Sequence, residues 1–226
     1  MLTGTIVNTL AIIAGAMIGV IAKKAIPQRM GDIVMSAISI VVMVLGVQFG
    51  IASSNILIVI VSLVVGGIIG EWIDIDRRLD DFGVRIQSRM KGGDSNFSAA
   101  FVSTTLIYCV GSMAILGSIE SGINGNHTIL YTKSLMDGIS AIFFASTLGA
   151  GVIFSGISVF IYQGILTVLA GYIGPYLSPE VVTEMSASGG ILLIALSFTI
   201  LGIKKIKVAN LLPAIFLPVI LMLFMK

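Results

Sequence analysis

Residues 56–73 read ILIVIVSLVVGGIIGEWI, fifteen residues without a charge closed by Glu71 and Trp72. A helix of a soluble protein needs a polar face, and this run has none. Eighteen helical residues at about 1.5 Å each come close to the thickness of a bilayer's hydrocarbon core. The run therefore reads as a membrane-crossing helix, with Glu71 and Trp72 anchoring its end at the interface.

The same pattern recurs on both sides of it. The apolar runs are Leu2–Ala22, Ile33–Ile51, Ile56–Ile73, Phe97–Ile119, Ser134–Ala150, Val152–Ile173, Met185–Ile203 and Val208–Met225. They predict an all-α fold, a polytopic transmembrane helical bundle of about eight spans that forms a single transmembrane domain over 1–226. Composition agrees: 57% of the residues are hydrophobic, 11% are charged and the mean hydropathy is +1.10. A soluble domain carries about 25% charged residues. Ile139–Ile173 has no charge at all, so Gly149, Gly151 and Gly156 suit either a tight hairpin or one broken, re-entrant helix. The first run precedes Lys23 and Lys24 instead of following a basic segment, which makes it an uncleaved span and not a signal peptide.

Lys and Arg are retained on the cytoplasmic side. With the N-terminus outside, the inner segments hold Lys23, Lys24, Arg29, Arg77, Arg78, Arg85, Arg89, Lys91, Lys204, Lys205 and Lys207, eleven against the two of Lys133 and Lys226. Both termini are expected to be extracytoplasmic. Between the third and fourth runs, Ile75, Leu79, Phe82 and Ile86 recur at helical spacing within the polar stretch Asp74–Ser95. That spacing predicts an amphipathic helix on the cytoplasmic surface, over segment 74–96.

The two ends of the chain resemble each other. At an offset of 152, Gly4 matches Gly156, Gly19 matches Gly171, Pro27 matches Pro179, Asp32 matches Glu184 and Ser36 matches Ser188. At an offset of 155, Asn8 meets Gln163, and Ser54-Asn55-Ile56-Leu57 meets Ala209-Asn210-Leu211-Leu212. Spans 1–3 (unit 1–73) thus repeat as spans 6–8 (unit 152–226), with central helices over 97–150. Five spans separate the copies, so they enter the membrane from opposite sides. Inverted-topology repeats are common in secondary transporters.

Ionisable groups inside a membrane are costly and point to function. Asp137 is the strongest candidate: it sits about one turn into the fifth span, four residues after Lys133 and so on the same helix face. A structural pair at the interface is the plain alternative. The small residues from Gly111 and Ser112 to Gly122 can break the fourth span and let backbone reach a ligand, although close helix packing explains them as well. Glu120 lies near the outer end of that span. Asn8 and Gln163 offer amides at depth, for a solute or for another helix. The candidate substrate- or ion-binding residues are therefore Asn8, Gly111, Ser112, Glu120, Lys133, Asp137 and Gln163. Asp32 and Glu184 read as caps at the starts of their helices, Pro213 and Pro218 as kinks in the last one, and His127 as a solvated loop residue. The pairs Gly15/Gly19 and Gly66/Gly70 form GxxxG packing faces, which are consistent with a homodimer.

The single cysteine, Cys109, and single histidine exclude an internal disulfide and Cys- or His-rich metal sites. A net charge of +2 gives no reason to expect nucleic acid. No nucleotide-binding, metalloprotease or hydrolase motif appears, so neither an enzyme nor a cofactor is expected.

The segments Gly4-Thr5-Ile6-Val7-Asn8-Thr9, Ile26-Pro27-Gln28-Arg29, Lys133-Ser134 with Asp137-Gly138, Ser186-Ala187-Ser188-Gly189-Gly190 and Ile206 to Ala214 together resemble the YdfK/YqgA family of bacterial inner-membrane proteins of unknown function. The resemblance covers essentially the whole chain and implies a multi-pass protein of the bacterial plasma membrane. It implies no substrate or site residue. The residues themselves point to a secondary transporter or ion-coupled permease, whose partners are the lipid bilayer and a small polar solute or a cation such as a proton or sodium. The alternative is a non-transporting scaffold that docks partners through segment 74–96.

Overall fold

Large apolar side chains point outward on these helices and small or polar ones point inward, the reverse of a soluble bundle. In α3 (Ile56–Ile73), Leu57, Val64, Ile68 and Trp72 are exposed while Ser62, Gly66 and Gly70 are buried. Such a helix packs through small residues and leaves its bulk to lipid. The computed structural model describes residues 1–23, 28–79, 81, 85, 97–110 and 112–224, all of whose regular elements are helical. Gly111, Pro27 and most of the expected amphipathic segment lie outside the described residues.

Among the described residues, four helices are long and apolar enough to cross a membrane, and up to five when a bent pair is taken as one span. The four are α1 (Thr3–Lys23), α3, α7 (Gly151–Val168) and α9 (Pro179–Ile200). The bent pair is α4 (Phe97–Cys109) with α5 (Ser112–Ile123), which diverge by 60°. Shorter apolar stretches cover 36–50 in α2 (Gln28–Gly50) and 208–223. The last run is a 3-10 helix (Val208–Ile215) containing Pro213, followed by α10 (Leu217–Phe224). Proline removes an N–H donor and so prevents a continuous α-helix there.

The chain divides into two compact units. The first comprises Met1–Val34, Leu79–Cys109 and Met113–Tyr172. In it, α1 lies against α6 (Thr128–Leu148): a Cβ on Gly15 would strike the Gly138 carbonyl, and one on Gly19 the Ile142 carbonyl. The register advances by four residues on both helices, so they run parallel, backbone against backbone. Helix α7 follows α6 after a two-residue turn in which Gly149 has φ 93°. Glycine adopts that left-handed backbone freely, and the uncharged stretch 139–173 thus contains a tight hairpin at this point.

The second unit comprises Met35–Arg78, Val110–Ser112 and Ile173–Lys226. Gly46 of α2 and Gly190 of α9 each meet the other's backbone, and Gly50 meets Ile191. Gly66 and Gly70 of α3 face Ala214 and Asn210. Residue numbers fall on one helix as they rise on the other, so α3 and the 3-10 segment run antiparallel. Both GxxxG faces are therefore filled inside the chain, and a homodimer would need a different surface.

Candidate functional site

Three faces of the first unit supply its buried polar centre. On α1 the buried stripe is Thr5, Asn8, Ile12 and Ala16; on α7 it is Ser155, Val159, Gln163 and Thr167. On α6 it includes Lys133, Asp137, Ala141 and Ala145. Each stripe follows the three- and four-residue spacing of one helix face.

Lys133 Nζ donates to both carboxylate oxygens of Asp137, at 3.0 Å to Oδ1 and 2.8 Å to Oδ2. Asn8 Nδ2 donates to Asp137 Oδ2 at 3.1 Å and to Gln163 Oε1 at 3.4 Å. One turn away, the hydroxyls of Thr5 and Thr167 are 3.5 Å apart. These contacts pair α1 with α7 in antiparallel register, since 5 meets 167 and 8 meets 163. Asn8 and Gln163 are fully buried and Lys133 and Asp137 are each 7% exposed. A buried amide is normally fully hydrogen-bonded. Here Asn8 Oδ1, an acceptor, and Gln163 Nε2, a donor, have no partner. The centre can thus accept one more donor and donate to one more acceptor.

The structure brings Asn8, Lys133, Asp137 and Gln163 together, but two of them sit elsewhere than the run boundaries imply. Lys133 was expected as an outer loop residue; it is the sixth residue of α6, buried beneath its ion pair. Asp137 is not one turn into its helix but the tenth of 21 residues, at its middle. Glu120 takes its hydrogen bond from Asn124 near the end of α5 and is not among the groups bonded to Asp137. Ser112 opens α5 and belongs to the second unit. His127 is half-buried, its Nδ1 2.8 Å from Ser121 Oγ and its ring edge-on to Tyr131, so it is not merely solvated.

Glu184 carries a second correction. It was expected to cap its own helix, but Ser178 does that, with its side chain accepting from Val181 N at 3.5 Å. Glu184 lies further along α9, 1% exposed, and its carboxylate accepts from Ser53 Oγ at 2.6 Å, Ser54 N at 2.7 Å and Asn55 N at 3.0 Å. It therefore fastens the loop that leads into α3, whose own cap is Asn55, with Oδ1 accepting from Leu57 N at 3.2 Å. At the other end of α3, Glu71 accepts from Lys207 Nζ and Asn210 Nδ2, both at 2.6 Å, while Asn210 Oδ1 accepts from Asp76 N at 2.7 Å. The hydrogen bond to Glu71 raises Lys207 above the ordinary lysine range. Sequence reasoning missed both clusters because their partners lie more than 125 positions apart; the shared offset of Asn55 and Asn210 was the available signal.

A family model described as "Protein of unknown function (DUF554)" matches residues 3–223. The chain is 35% identical over 219 residues to the uncharacterized membrane protein YdfK of Bacillus subtilis (strain 168), covering 95% of this chain and 93% of that protein. It is 28% identical over 222 residues to the uncharacterized protein YqgA of Escherichia coli (strain K12), covering 96% and 94% respectively. No solved structure matches.

Proposed function

Because this chain belongs to the DUF554 family of proteins of unknown function, its activity has to be read from its own site, and we propose that it is a secondary transporter or ion-coupled permease. In this reading it moves a small polar solute or ion unchanged across the bacterial plasma membrane and performs no catalytic step. The observation that carries the reading is the Lys133–Asp137 pair, buried at mid-helix beside two amides that each keep one atom unpartnered. A charge at the centre of a spanning helix costs on the order of 2.5–3.5 kcal/mol, so such groups are retained for a use.

The proposed architecture is eight spans arranged as an inverted repeat. At 21 residues α6 is long enough to cross, and it falls outside the apolar set because it carries the charged pair and several hydroxyls. The pairing of elements supports the repeat. Helix α1 meets α7 and α3 meets the 3-10 segment, each antiparallel to its proposed counterpart, and α2 packs on α9. An in-plane twofold axis would produce this pairing. Asn8 and Gln163, equivalent under the repeat, bond directly to each other, as residues on such an axis would. With eight spans both termini lie outside. Placing Lys133 within α6 strengthens the charge bias, because it removes one of the two basic residues from the outer side and leaves Lys226.

The test is net flux into proteoliposomes, first with a mixed panel of labelled anions, cations and neutral metabolites. Asp137→Asn should abolish net flux of the carried solute while the protein still elutes as a single sharp species. A scaffold would show no flux in either form.

A further inference from the structure

The buried centre holds one cation, one anion and two spare hydrogen-bonding positions, and this inventory constrains what it can carry. Resting on the permease reading, we propose that the Lys133–Asp137 pair couples one proton to one small monoanion of carboxylate type, so that the carrier is electrically neutral both empty and loaded.

In the empty state Lys133 and Asp137 neutralise each other. A cation such as Na⁺ bound at Asp137 would sit against the Lys133 ammonium, already 3.0 Å and 2.8 Å from the two carboxylate oxygens, and would leave a net positive charge in a low-dielectric site. A proton avoids the first penalty, because it becomes part of a neutral carboxyl instead of a second cation against the Lys133 ammonium, and the net charge it leaves is offset once an anion binds. Once Asp137 takes a proton from water on the entry side it no longer holds Lys133, and the freed ammonium can bind an anion. Charges then balance again: Lys133 positive, the anion negative, Asp137 neutral. On the exit side the anion leaves, the proton follows it into water, and the original pair re-forms.

The unpartnered amide atoms fit that second state. Rotation of the Asn8 amide presents Oδ1 as an acceptor for the new Asp137 O–H, and Gln163 Nε2 is a spare donor for an anionic oxygen beside Lys133. The groups facing Asp137 from its neighbours do not supply a competing charge. Helices α1 and α7 present the neutral amides Asn8 and Gln163, and α4 presents Tyr108 and Cys109. Lys133 is the one cation among these.

The purified full chain would be reconstituted in vesicles with an entrapped pH dye, and inward gradients of lactate, pyruvate and formate imposed in turn. The expected result is lumen acidification faster than in protein-free vesicles, and unchanged when valinomycin and potassium reverse the membrane potential. Asp137→Asn imitates the protonated carboxyl. Its empty form carries an unpaired charge and is held from reorienting, whereas its anion-loaded form is neutral. It should therefore lose net acidification yet retain exchange of labelled anion for anion. The double variant Lys133→Gln/Asp137→Asn removes both charges and should fold but lose both activities. Flux that depends on Na⁺ or on potential overturns the proposal, and so does full activity in the double variant, which would make the pair structural. Absence of anion-driven acidification across the panel overturns the anion assignment. If a cationic or neutral solute is then carried and Asp137→Asn blocks it, the permease reading stands without this coupling; if nothing is carried, both fall.

Discussion

At the scale of single residues, the cost of burying charge decides most outcomes. Lys133→Met leaves the Asp137 carboxylate with Asn8 as its remaining side-chain donor. Removing one partner of a buried pair costs about 3–5 kcal/mol, whereas replacing both is close to neutral. Denaturant or thermal unfolding in detergent should therefore show Lys133→Met strongly destabilised, with Asp137→Asn in the same chain recovering most of the loss. An equal loss in single and double variants would mean that the pair contributes through packing instead of charge. Glu184→Ala leaves Ser53 Oγ and the Ser54 and Asn55 amides without their acceptor. The expected loss is about 1–3 kcal/mol by the same unfolding measurement, while Glu120→Ala, on an exposed bond to Asn124, should stay near the parent value. The i,i+4 spacing made the Lys133–Asp137 contact legible in the sequence. Its depth was not, because an apolar run ends at the first charge, while the helix continues through a lysine whose ammonium is already satisfied. Glu184 has a related explanation: it stands just before the apolar run Met185–Ile203, which suggests a cap at a helix start, and nothing local points to a loop some 130 positions away.

At the scale of helices, close approach through glycine sets the geometry of the site. Gly15 of α1 meets the Gly138 carbonyl of α6, one residue from Asp137, so these two backbones fix the distance between Asn8 and its carboxylate. Gly15→Val forces them apart at a cost of about 1–3 kcal/mol, and it should also reduce any flux that depends on Asp137. Gly171, in the short helix α8 (Ala170–Ile173), has open space where a Cβ would stand. Gly171→Ala should leave thermal stability unchanged or raise it by up to about 1 kcal/mol. Equal destabilisation by the two substitutions would contradict the packing described. The helices themselves were readable from apolar runs, and so was the hairpin at Gly149 as one of two alternatives. The 3-10 character of 208–215 was only hinted at by Pro213, because a kink and a change of helix type leave the same mark in sequence.

At the scale of the molecule, the proposed inverted repeat and the charge bias make one joint prediction about sidedness. Asn126 lies in the exposed loop between α5 and α6, and Lys204 in the exposed turn after α9. In the proposed topology α6, α7 and α9 each cross between them, an odd number, so the two positions face opposite sides. In that topology the bias of basic residues predicts Lys204 inside and Asn126 outside. In a Cys109→Ala background, a membrane-impermeant maleimide added to intact cells should label Asn126→Cys at once, and Lys204→Cys only after the membrane is permeabilised. The reverse pattern would keep the span count and overturn the orientation. Labelling of both from the same side would mean an even number of crossings between them, and two repeats separated by such a topology could no longer be inverted copies.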